Sequence, residues 1–186
     1  MKIGILVWGS LYWDPRNLNT TGEWFFDGPI LPIEFSRISG GNRLTLVITP
    51  GFDNVTTLFA ISGFDRLSAA IENLKDREGA QNINNIGYIN FQDNSSNVRL
   101  SNRLILPILR YWNIDKKFEA IIWSDFSQRF ETVTNTIFNL QNVIQFIERL
   151  SDAERIEALR YIRQAPEQIN TRFRLRIQEH FKAINF

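Results

Sequence analysis

From Ile3 to Val7 the chain carries no polar side chain, and the turn-forming pair Gly9-Ser10 follows almost at once. An apolar run of that length closed by a turn reads as a buried central strand. Residues 30–38, 43–49 and 55–61 are rich in β-branched and aromatic residues and are separated by Gly40-Gly41-Asn42 and Pro50-Gly51, the punctuation of a meander. Between 65 and 77 the period changes, because Leu67, Ala70, Ile71 and Leu74 share one helical face and Gly79 supplies a stop. Asp14-Pro15 has the form of an N-cap followed by proline, which predicts a short helix or turn. Residues 80–85 read as an Asn-rich loop, and 87–91, 98–106 and 118–123 as further strands. Residues 103–117 fit neither period, since Pro107 interrupts them.

From Ser127 onward the spacing is helical. Ile137, Leu140, Ile144 and Ile147 form one stripe, and Ser151 with Glu154 makes a capping box for a helix that should end before Pro166. Ile169, Phe173, Ile177 and Phe181 recur every four residues, an apolar seam that should pack on the body. Strands in the first two thirds and helices in the last indicate an α+β fold. No repeat or low-complexity linker divides the chain, which reads as one domain, 1–186, with a body over 1–125 and a helical C-terminal extension over 126–186.

Composition narrows the chemistry. The 186 residues contain no cysteine and one histidine, so thiol nucleophiles, thiolate metal sites and imidazole clusters are excluded, and acid-base work falls to carboxylates. With 21 Lys+Arg against 20 Asp+Glu, no global field draws the chain to nucleic acid or to a membrane surface. Arg172, Arg174 and Arg176 form no basic stripe either. Alternate helical positions diverge by about 200°, so they read as a solvated helix end. His180 adjoins the apolar seam and reads as a packing or helix-dipole residue. The run ending at Trp8 is too short for a secretory or membrane segment, which gives a cytoplasmic reading. The dinucleotide, P-loop and Gly-x-Ser-x-Gly patterns are missing.

Two junctions carry candidate chemistry. At Trp8-Gly9-Ser10-Leu11 a strand ends in a bend that can turn successive backbone N–H groups to one side, a concavity suited to carboxylates or carbonyl oxygens. At Arg77-Glu78-Gly79 a carboxylate sits in the last turn of a helix, where the macrodipole disfavours its charge, as a general base near neutral pH requires. Taken singly, these junctions read as a plain strand-ending turn and a solvated surface glutamate.

Taken in order, the aromatic-Gly-Ser-Leu turn after the first strand, Arg37 and Ser39 running into Arg43-Leu44-Thr45-Leu46-Val47, and a helix ending in Leu-x-x-Arg-Glu-Gly resemble the gamma-glutamylcyclotransferase-like superfamily over about residues 1–124. The resemblance implies a mixed β-barrel-like fold with a pocket between the glycine-serine loop and the helix-ending glutamate. It implies Glu78 as catalytic acid/base, with Trp8, Gly9, Ser10 and Leu11 in the substrate loop and Tyr88 as a further binding residue. Trp8 stands where the family usually carries tyrosine. The implied reaction cyclises a gamma-glutamyl amine or peptide to 5-oxoproline with no metal or cofactor, and the alternative is a non-catalytic module binding a small molecule or peptide. Beyond a gamma-glutamyl substrate, the partner expectations are no nucleic acid, no membrane, and a homodimer as one use of the C-terminal helices.

Overall fold

Ile3, Ile5 and Val7 belong to one apolar cluster and Leu6 and Trp8 to another, so the two faces of the first strand divide the interior. The structure, a computed structural model, describes residues 1–184. Its strands are β1 (Ile3–Val7), β2 (Ile30–Ile38), β3 (Leu44–Ile48), β4 (Asn54–Thr56), β5 (Leu58–Ile61), β6 (Ile86–Asn90), β7 (Ser96–Asn97) and β8 (Ala120–Ser124). Its helices are α1 (Leu67–Glu78), α2 (Ile105–Lys116), α3 (Phe130–Thr134), α4 (Leu140–Arg149), α5 (Asp152–Gln164) and α6 (Arg172–His180). One sheet is mixed, in the order β5-β1-β8-β6-β7, with β1 parallel to β8 and antiparallel to β5. The other is antiparallel, β3-β2-β4. The fold is α+β.

Among the described residues the sheets do not close into a barrel, which corrects the barrel-like expectation. The apolar run at 55–61 divides at Thr57, whose N–H donates to the Pro29 carbonyl and whose own carbonyl accepts from Gly28 N–H, so the chain passes there from one sheet to the other. The outer edge of β3 meets side chains instead of another strand. The Leu46 carbonyl accepts from Trp8 Nε1 at 3.3 Å, and the Leu46 N–H faces the Tyr161 hydroxyl. An edge covered in this way is shielded from pairing with another strand at that point.

Residues 98–106 are not a strand. Asp125, itself buried, accepts from Arg99 N–H and from Asn102 Nδ2, each at 2.6 Å, and these bonds hold a short 3₁₀ turn over Leu100–Asn102. Local β-propensity is overridden by this long-range acceptor. Pro107 is the third residue of α2, within the first turn, where a missing N–H costs nothing.

In the C-terminal part the Ser151–Glu154 capping box is present, and Ile169, Ile177 and Phe181 are buried. These three belong to this chain's own core, and Phe173 is partly buried against it. Arg174 is not a solvated residue: it is 7% exposed, and its guanidinium donates to the carbonyls of Arg163, Ala165, Pro166 and Ile169 where α5 ends. His180 hydrogen-bonds Glu148 at 2.8 Å at the exposed end of α6. No helix among the described residues is long and apolar enough to cross a membrane.

Glu34 links β2 to this helical part. Its Oε1 accepts from Phe35 N–H and from the Thr171 hydroxyl that caps α6, while Oε2 is buried without a partner. Burial pushes the carboxyl up to about 7, against hydrogen bonds that lower it. The unfolded chain releases this proton near 4.5 and the folded protein only near 7, so stability is greatest below the first value and is lost as pH rises between them. The accumulated loss is roughly 3 kcal/mol. Urea unfolding at pH 5 and pH 8 should show this fall in wild type, and Glu34→Gln should flatten it.

Candidate functional site

The carboxyl ends of the parallel strands β1 and β8 open toward the C-terminus of α1, and the gap between them is where the candidate residues meet. After β1 the chain folds back on itself, with Tyr12 N–H bonded to the Gly9 carbonyl and Asp14 N–H to that of Ser10. Arg77, 3% exposed, fastens this loop to α1: its Nη2 donates to Ser10 Oγ at 3.2 Å and to the Asp14 carbonyl. Gly79 adopts φ +61 and ends α1, its N–H and that of Ala80 capping the carbonyls of Asp76 and Lys75. A residue with a Cβ is disfavoured in that conformation, so the stop at Gly79 fixes where Glu78 stands.

Glu78 is accordingly the last helical residue. Its side chain is 16% exposed, with Oε1 accepting from Ser124 Oγ at 2.7 Å and Oε2 paired with Arg77 at 3.2 Å. Two donors thus meet the carboxylate at the helix end, partners that reasoning from α1 alone does not contain.

The loop, Glu78 and the outer edge of β3 border a cavity of about 400 Å³. Trp8, Gly9, Ser10, Leu11 and Glu78 all line it. Tyr88 does not. It lies on β6, packed against the cluster that contains Ile3 and Ile5, and the phenol at the cavity is Tyr161 of α5. Tyr88 is near Glu78 in sequence only, whereas Tyr161 on α5 arrives from the far end of the chain.

Tyr161 is held from several sides. The Ser10 and Leu46 N–H groups face its hydroxyl, Trp13 meets its ring edge-on at 5.1 Å, and a Cβ on Gly9 would stand 2.9 Å from its oxygen. Glycine at position 9 is what lets the phenol reach the loop. Burial, reinforced by the Glu78 charge, pushes the hydroxyl up to about 12, so it stays protonated at neutral pH. A protonated phenol can donate its hydrogen to an oxygen in the cavity. Trp8 is different: it is buried, and its indole N–H is engaged by Leu46, so it shapes the wall and offers no polar atom.

Comparison with protein-family models, curated proteins and solved structures finds no match to this chain. The chemistry of the site therefore has to be read from the site.

That chemistry is a partly buried carboxylate, a protonated phenol and a set of guanidinium groups around one cavity. Among the described residues no three His, Cys, Asp or Glu side chains gather as a metal site. Sequence reasoning missed Ser124, Tyr161 and Arg129. Nothing local marks them, since a single tyrosine on an amphipathic helix looks like any core aromatic.

Proposed function

We propose that the protein cyclises a gamma-glutamyl amine or peptide, releasing the amine and forming 5-oxoproline. The observation that carries this reading is the convergence of Glu78 with residues 9–11 on one cavity. In the reaction the substrate's α-amino nitrogen attacks its own γ-carbonyl, so both reactants are tethered and the enzyme need only fold the chain, move protons and stabilise the oxyanion. Glu78 takes one proton from the ammonium, and the freed lone pair forms the new C–N bond. As the bond to the departing nitrogen breaks, that nitrogen is protonated from Glu78 and the ring nitrogen loses its second proton. Both protons finish on the released ammonium. The Tyr161 hydroxyl is suited to donate to the oxyanion of the tetrahedral intermediate.

A second reading, a module that binds such a compound without turning it over, is favoured by the engagement of both Glu78 oxygens with Arg77 and Ser124. The two separate on wild-type protein incubated with gamma-glutamyl dipeptides, with 5-oxoproline followed by mass spectrometry and binding by thermal melt. Product formation is expected. A raised melting temperature with no product would establish the binder instead, because a ligand specific for the folded state stabilises it without being consumed.

A further inference from the structure

Six arginines border the cavity, Arg16, Arg37, Arg43, Arg77, Arg129 and Arg160, and only three carboxylates do. Each carboxylate pairs with one arginine: Asp14 with Arg16, Glu78 with Arg77, Glu157 with Arg160. Among the described residues Arg37, Arg43 and Arg129 form no ion pair. The chain as a whole is nearly neutral at +1, so this local excess is not a by-product of composition.

Arg37 is the most constrained of the three. It is half-buried on β2, its Nη1 donates to the Ser127 carbonyl at 2.9 Å, and its guanidinium lies 4.7 Å from the centre of the Phe126 ring. Burial lowers its affinity for a proton, and the neighbouring charges of Arg129 and Arg99 act in the same direction against the pull of Glu78. A guanidinium oriented by a carbonyl and a ring, with cations beside it and no carboxylate paired to it, is a recognition group whose counterion comes from outside the chain. Arg43 stands at the β2–β3 turn, its Nε bonded to the Gly40 carbonyl. Arg129 lies just before α3 and is exposed.

We propose that Arg37, Arg43 and Arg129 bind an anionic group on the departing amine, a carboxylate or a phosphate, so that the preferred substrate is a gamma-glutamyl compound with an acidic leaving group. This rests on the cyclisation reading for the word substrate, though not for the anion site. A cation-lined cavity concentrates anionic ligands and makes their binding weaken with salt.

The test uses matched pairs. Gamma-glutamyl-glycine is compared with gamma-glutamyl-glycinamide, and gamma-glutamyl-phosphoethanolamine with gamma-glutamyl-ethanolamine, kcat/KM being measured for wild type, Arg37→Gln and Arg129→Gln. Inorganic pyrophosphate binding is measured in parallel by calorimetry. The acidic member of at least one pair should be favoured by about tenfold or more, equivalent to a single charge-assisted hydrogen bond, and the preference should shrink in both variants. Whichever pair shows it identifies carboxylate or phosphate. Turnover without preference overturns the anion site and leaves cyclisation standing. Pyrophosphate binding that is lost in Arg37→Gln, with no turnover of any compound, supports the anion site and removes the cyclisation reading. Neither preference nor pyrophosphate binding overturns the proposal.

Discussion

Replacing Glu78 with glutamine should abolish 5-oxoproline formation, a loss of about 10²–10⁴-fold, while 5-oxoproline still raises the melting temperature of the variant. Glutamine preserves the shape of the side chain and can still accept from Ser124 Oγ, which bonds the wild-type carboxylate at 2.7 Å. It cannot take a proton from an ammonium. The ion pair with Arg77 is lost, and since Arg77 also holds Ser10 and the Asp14 carbonyl, the loop stays fastened. Loss of turnover with retained ligand stabilisation separates acid-base chemistry from loop disorder. A variant as active as wild type would remove Glu78 from the mechanism.

Replacing Arg174 with methionine should destabilise the protein by on the order of 3–5 kcal/mol, read as a lower urea midpoint. One buried guanidinium serves four carbonyls around the end of α5, with distances of 2.6 to 3.1 Å. Without it three of those acceptors are left buried, and methionine fills the volume without supplying a donor. Lysine should recover only part of the loss, because a compact ammonium cannot reproduce the planar fork. An unchanged midpoint for methionine would show that the carbonyls find other donors.

The sequence was most informative where the cause of structure is local. The unbroken run before Val7, the glycine after Glu78 and the Ser151–Glu154 box each act over a few residues, and each element formed as its pattern indicates. It was least informative where a distant group decides. Asp125 turns residues 98–106 away from strand structure, and the carbonyls ending α5 draw Arg174 inward from a spacing that reads as solvent-facing. The candidate site divides along the same line. Glu78 and residues 8–11 carry local signals, a helix stop and a strand-ending bend, whereas Tyr161 and Arg129 reach the cavity only through tertiary packing.

The edge of β3 bears on how the molecule is made. Leu46 has its carbonyl covered by Trp8, which leaves the ribosome before it, and its amide covered by Tyr161, which leaves long after. In a chain whose α5 has not yet docked the Leu46 amide is uncovered, a place where a second chain can add a strand. Docking of α5 ends that exposure and supplies the phenol to the cavity in the same step, so the protection of the sheet edge and the completion of the pocket wall are one event.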